Sequence, residues 1–298
     1  MRILVTGASG MLGATLCKSL SKAHKVYATG GSAFYDASVD YKVFDFLNGD
    51  YTELIEWSRP EVIILSGALT NGSICQKNPR QAYEANGFSI KSFLNNTTED
   101  VKIIYISTDA VFPSRLSMAT EEDVVSPESI YGRSKELGEY FVSNSGRSFC
   151  TIRTTIVGLN DNVSKKGFLE WIIESSKAEI EIGLFDDVYF TPITIWQLAN
   201  EIEYLVGLNR LPNEILHIVG TDRITKYNFG IQLLDTLGLG KNCVNRSFIV
   251  DMKDRAKRST DQTLDSSYYQ TKFCRKLPNM QDIMISIKQN YEEHQTRT

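Results

Sequence analysis

Three clusters in this chain combine residue types and spacings that can do chemistry. In Tyr131-Gly132-Arg133-Ser134-Lys135 a phenol and an ammonium stand four residues apart. On a helix that spacing puts both on one face. A phenol titrates near about pH 10, and a neighbouring cation favours its ionised form. Such a pair could pass a proton to a substrate oxygen near neutral pH. Alone, it is also an ordinary feature of exposed helices. The second cluster, Thr6-Gly7-Ala8-Ser9-Gly10-Met11-Leu12-Gly13, carries three glycines spaced three apart. Backbone without side chains can approach a pyrophosphate closely. A helix beginning there adds N–H donors and the positive end of its dipole. The third, Ile106-Ser107-Thr108-Asp109-Ala110-Val111-Phe112, follows an apolar run. A hydroxyl at the carboxyl end of a strand can hold a carbonyl oxygen while charge builds on it. The same residue types also suit a cap or turn.

The elements that must position these clusters alternate between strand and helix. Arg2–Val5, Lys25–Thr29, Val62–Leu65, Val101–Ile106 and Phe149–Ile156 read as strands, with a third strand in chain order beginning at Val43-Phe44. Ala14–Ser21, Thr52–Trp57, Pro79–Leu94 and Glu128–Ser143 read as helices. Runs apolar on both faces, separated by helices, predict a parallel sheet covered on both sides. The expected fold is α/β, a Rossmann doubly wound parallel sheet with a smaller, interleaved C-terminal substrate lobe. Residues 1–156 would form the dinucleotide-binding domain, with return segments at about 188–222, and 157–187 and 223–298 the lobe. The tail, Tyr268–Thr298, mixes charge with aromatics and is expected at the surface.

Composition narrows the function classes. The chain has 298 residues, 42% hydrophobic and 23% charged, enough to bury a core. A net charge of −4 offers no basic field for nucleic acid or an anionic membrane. No stretch nears the roughly 18 apolar residues of a membrane span, and Ile3-Leu4-Val5 is far short of a signal-peptide core. Five scattered cysteines form no C-x-x-C pair, which points to a reducing cytoplasm rather than a disulfide framework. Three dispersed histidines give no expectation of a metal site.

One signal separates the two nicotinamide dinucleotides. An acidic residue about 20 positions along would bind a ribose 2′-hydroxyl. The second strand instead ends Ala28-Thr29-Gly30-Gly31-Ser32, with Asp36 later and no Lys or Arg from Val26 to Tyr41. A 2′-phosphate meets no carboxylate there, and Ser32 can donate a hydrogen bond to it. NADP(H) is favoured, with NAD(H) left open.

In this order, Gly7, Gly10 and Gly13, Ser107-Thr108-Asp109, and Tyr131 with Lys135 resemble an extended short-chain dehydrogenase/reductase. More narrowly, Ser107-Thr108-Asp109-Ala110-Val111-Phe112, Glu121-Glu122-Asp123, Pro127, Tyr131–Glu139, Arg153-Thr154 and the late Arg258, Asp261 and Leu264-Asp265 resemble the dTDP-4-dehydrorhamnose reductase family. The resemblance implies that Thr108 and Tyr131 contact a keto oxygen, with Tyr131 the proton donor and Lys135 on the nicotinamide ribose. It implies cofactor contacts at Gly7, Ser9, Gly10, Met11, Leu12, Gly13, Ser32, Asp45, Phe46, Ser66, Gly67, Ala68, Thr70 and Asn86. Substrate contacts would come from Thr108, Asp109, Val111 and Arg258. The implied activity is NAD(P)H-dependent reduction of a 4-keto-6-deoxy sugar nucleotide in deoxysugar or surface polysaccharide synthesis. Pro113-Ser114, Ala119, Ile156-Val157, Gly167 and Ser259 depart from the family pattern and leave the sugar and base open. A nucleotide-sugar epimerase or dehydratase with tightly held NAD, and a non-catalytic NADP-binding regulatory subunit, are the competing readings. A homodimer is compatible with all three.

Overall fold

The computed structural model describes residues 1–114, 116–162, 165–249 and 260–296. The chain divides into two compact units. The first comprises Met1–Val111, Val125–Arg153 and Ala199–Leu216, and the second Phe112–Val124, Thr154–Leu198 and His217–Thr298.

The first unit is built on a seven-stranded parallel sheet. Six strands are β1 (Arg2–Thr6), β2 (Lys25–Gly30), β3 (Asp40–Val43), β4 (Val62–Leu65), β5 (Lys102–Thr108) and β6 (Phe149–Thr154). The seventh is Glu214–His217, and the spatial order runs from it through β6, β5, β4, β1 and β2 to β3. The chain therefore winds outward from β1 through β2 to β3, then restarts on the other side at β4. Ligands of open α/β sheets sit beyond the strand ends at such a reversal. Ile3, Leu4, Val5 and all of β4 are fully buried, as a sheet covered on both faces requires.

Local chemistry sets the helix ends that matter. Asp50 accepts from the Glu53 N–H to start Tyr51–Ser58, which stops at Arg59 in a left-handed conformation before Pro60. Ser129 accepts from the Gly132 N–H and starts Ile130–Ser143, the helix that carries Tyr131 and Lys135.

The second unit has short pairings and a core of its own. Tyr189–Phe190 lies between Ile224–Thr225 and Asp261–Gln262, and Ile182–Phe185 runs parallel to Val244–Ser247. Phe190, Phe229, Leu169, Ile172, Ile283 and Ile287 lie within one buried cluster.

Four expectations need correction. The third strand spans Asp40–Val43 and ends where it was expected to begin, because β2 recruits Asp40–Val43 as its parallel partner. Pro79–Leu94 is not one regular helix: a π-helical turn, Glu84–Phe88, separates Pro79–Tyr83 from Ser89–Asn95. The sixth strand stops at Thr154, and Ile156–Val157 pairs instead with Ile193–Thr194. The tail is no surface appendage, since Tyr269, Leu277, Ile283 and Ile287 are fully buried. Its apolar side chains recur at helical spacing and have a core to enter.

Candidate active site

The glycine turn lies directly after β1. Gly7 adopts a left-handed φ of +73°, and the Gly10 N–H donates to its carbonyl at 2.9 Å. A methyl group at Gly13 would lie 2.2 Å from that same carbonyl oxygen, and one at Gly7 2.6 Å from Gly67 Cα. The turn thus closes only without side chains. The helix Met11–Leu20 starts at Gly10 with no side-chain cap and no acidic residue in its first turn. Its first N–H groups have no intrahelical acceptors, which suits an anion.

Loops from the neighbouring strands border this turn. Ser66 donates to the Thr6 carbonyl, and the Gly67 N–H donates to Thr6 Oγ1 at 3.1 Å. Ser66, Gly67 and Ala68 are half-buried and Thr70 is exposed. A methyl at Gly67 would also lie 3.3 Å from the Phe46 ring. Asp45 is exposed, and its carboxylate accepts from Leu47 N–H at 2.9 Å and Asn48 Nδ2 at 3.0 Å. Those bonds, the Asn48 side chain first, hold its carboxyl below the usual range. Ser32 is exposed on the turn that follows β2.

The Thr108–Tyr131–Lys135 cluster is assembled at the end of β5. Thr108 is buried and donates to Asp109 Oδ1 at 2.8 Å, and its hydroxyl lies near enough to the Tyr131 phenol to favour the phenolate. Gly132 allows this approach, for a methyl there would lie 2.1 Å from the Ala110 carbonyl oxygen. Lys135 is only 2% exposed; its ammonium donates to the Ile106 carbonyl at 2.7 Å and lies 4.1 Å from the Tyr105 ring centroid. Burial pulls its pKa down to about 7, against the opposing pull of Glu139. For Tyr131, burial pushes the phenol upward and outweighs the lowering by Thr108. In this arrangement the phenol is therefore a held acid. Asp109 is nearly buried and Val111 fully so. Arg258 lies outside the described residues.

The lysine's position has a measurable consequence. Its ordinary pKa of 10.5 applies in the unfolded chain and about 7 in the folded one. Between those values the unfolded state binds more protons, so folding stability rises with pH through this window. Below about pH 7 the full cost of a buried charge is present. Accordingly, the melting temperature of the native chain should gain on that of Lys135→Met as pH increases from about 6 to about 9. Melts of both at several pH values check this, and a constant gap would show that Lys135 titrates normally.

Asn86 is fully buried in the π-helical turn. Its amide accepts from the Leu69 N–H at 2.7 Å, donates to the Leu69 carbonyl at 3.0 Å and donates to Ser134 Oγ at 2.9 Å. Its side chain thus ties the loop after β4 to the helix of Tyr131 and Lys135. Tyr105 strengthens the same joint, its hydroxyl lying 3.2 Å from the carbonyls of both Asn86 and Lys135.

Sequence reasoning left one assembly without a role. Arg153 makes a two-point pair with Glu139 at 3.0 and 2.7 Å, and Ser107 donates to the same carboxylate at 2.5 Å. The paired side chains are 4% and 5% exposed. This network lies on β5, β6 and the Lys135 helix, one turn beyond the lysine. The visible signal was Glu139 four residues after Lys135. In the second unit, Glu121 accepts from the buried His217 N–H at 2.7 Å, and Asp123 accepts from Thr120. The acidic stretch therefore builds a turn.

A glycine turn at the reversal of a parallel sheet, with a Tyr-x-x-x-Lys helix against the next strand end, defines an extended short-chain dehydrogenase/reductase, a class of oxidoreductases. The family model for the RmlD substrate binding domain matches residues 1–292. The chain belongs to that family. It is 28% identical over 241 residues to the spore coat polysaccharide biosynthesis protein SpsK of Bacillus subtilis, covering 80% of each chain. A hypothetical dTDP-4-dehydrorhamnose reductase from Sulfolobus tokodaii is 30% identical, with 91% and 94% of the two chains covered and a TM-score of 0.79. The dTDP-4-dehydrorhamnose reductase of Bacillus anthracis, solved in complex with NADP, has a TM-score of 0.84 at 22% identity, covering 96% of this chain and 98% of its own. Among the described residues no helix is long and apolar enough to cross a membrane.

Proposed function

We propose that this chain reduces the keto group of a 4-keto-6-deoxy sugar nucleotide, using NADPH in preference to NADH. The first unit would hold the dinucleotide. The observation that carries this reading is the gathering of Thr108, Tyr131 and the buried Lys135 ammonium at the end of β5. The residues present fit a dinucleotide. The Gly7–Gly13 turn is a cradle that any side chain would fill, and Gly67 faces it without one. When bound, a reduced nicotinamide supplies hydride to the ketone carbon. Thr108 Oγ1 holds the ketone oxygen as negative charge develops, and Tyr131 Oη delivers the proton. A phenol raised by burial remains protonated until that charge appears, which suits a donor rather than a base. Lys135 Nζ would hold the nicotinamide ribose, and its charge would favour the phenolate left behind. Ser9, Met11 and Leu12 would hold the phosphates, and Asp45 and Phe46 would meet the adenine end. The name of the Bacillus subtilis relative supports a place in surface polysaccharide synthesis. Such a substrate and the dispersed cysteines suit the cytoplasm.

The test offers dTDP-, GDP-, CDP- and UDP-linked 4-keto-6-deoxyhexoses with each nicotinamide. One of them should give steady oxidation of NADPH. A dinucleotide that stays bound and unconsumed would point to an epimerase or dehydratase. Binding of NADPH without turnover on any substrate would point to a regulatory subunit.

A further inference from the structure

The turn after β2 is organised by one side chain from β3. The Tyr41 hydroxyl lies 3.1 Å from the Gly30 carbonyl oxygen and also contacts the Ser32 carbonyl oxygen. Its ring packs against Phe34, with centroids 5.4 Å apart. Residues 30, 32 and 34 are thus all anchored on Tyr41. Gly30 lies close to both Tyr41 and the first loop. A methyl at Gly30 would lie 3.0 Å from Ser9 Oγ and 3.3 Å from Tyr41 Oη. Neither Asp36 nor Lys42 is committed to this turn. Asp36 accepts from the N–H and hydroxyl of Ser38 at 2.9 and 2.6 Å. Lys42 pairs with Glu53 and lies 5.8 Å from the Trp57 ring centroid.

We infer that Tyr41 is a positioning residue for cofactor choice: by engaging the Gly30 and Ser32 carbonyls it shapes the Gly30–Ser32 turn to accept a ribose 2′-phosphate. The inference rests on the dinucleotide reading given above. A carbonyl oxygen facing a phosphate repels it, and two glycines leave the turn conformationally loose. The phenol answers both problems. It shares its one O–H between the two carbonyl oxygens, and it holds the backbone so that the turn's N–H groups can face the phosphate. The ribose of NADH has no 2′-phosphate and gains little from this order.

The measurement is binding of NADPH and of NADH to native chain, Tyr41→Phe and Gly31→Asp, followed by nicotinamide fluorescence. Tyr41→Phe retains the ring against Phe34 and removes only the hydroxyl. It should weaken NADPH binding about tenfold and change NADH binding by less than about twofold. A methyl at Gly31 meets nothing within 4 Å, so aspartate fits there, and its carboxylate should weaken NADPH and spare NADH. An unchanged NADPH-to-NADH affinity ratio in Tyr41→Phe overturns the inference, as does an equal loss of both. An unchanged ratio in Gly31→Asp overturns it too, even if Tyr41→Phe does not fold. Native chain that binds neither dinucleotide defeats the underlying reading and this inference with it. Native chain that prefers NADPH, with the same affinity ratio in Tyr41→Phe, defeats the inference alone.

Discussion

Tyr131→Phe is expected to lower turnover by about 10²- to 10⁴-fold, the range for losing a positioned general acid. Dinucleotide affinity should hardly change. The phenol stands near Thr108 at the end of β5, whereas the dinucleotide is assigned to the glycine turn after β1. The ring, retained in phenylalanine, preserves the packing of a half-buried side chain. Steady-state reduction and fluorescence titration of NADPH together check the prediction. Near-native turnover would remove Tyr131 from proton delivery. A parallel loss of NADPH binding would show that the substitution disturbed the fold rather than the chemistry.

Arg153→Leu should carry the largest cost to stability. Among the described residues, Glu139 would then keep the Ser107 hydroxyl as the one hydrogen-bond donor to a nearly buried carboxylate. Breaking a buried pair from one side costs about 3–5 kcal/mol, because the remaining charge stays desolvated. For a chain of this size that lowers the melting temperature by on the order of 10 °C. Removing both charges, as in Glu139→Met with Arg153→Leu, should recover most of the loss, since well-packed apolar replacements of buried pairs are often close to neutral. The double-mutant cycle by thermal and urea unfolding decides it. Equal stability of Arg153→Leu and the native chain would mean that the pair contributes nothing.

Much of the fold was written in local patterns. Val62–Leu65 has four consecutive apolar residues because both faces of a central parallel strand are covered, and its boundaries agree with the structure. Gly7, Gly10 and Gly13 announced their turn because no side chain could stand where another backbone passes. Tyr131 and Lys135 declared a shared helix face because that depends only on helical periodicity. Their resemblance to a reductase family likewise rests on residues close together in sequence, and the match over 1–292 bears it out.

What escaped reading depended on partners distant along the chain. The π-helical turn at Glu84–Phe88 has no local spelling; it places Asn86 between Leu69 and Ser134, 17 and 48 residues away. The strand at Asp40–Val43 exists because β2 offers it an edge, and not because its own residues are apolar. Isolated from the fold, Lys135 is an ordinary cation, and Glu139 and Arg153 are ordinary surface charges. Burial at the junction of β5, β6 and one helix turns the first into a group titrating near neutrality and the others into a desolvated pair. Residue type and spacing could specify which groups were available for chemistry. Their dielectric surroundings, and so their protonation and energetic weight, arise only when segments far apart in sequence exclude water together.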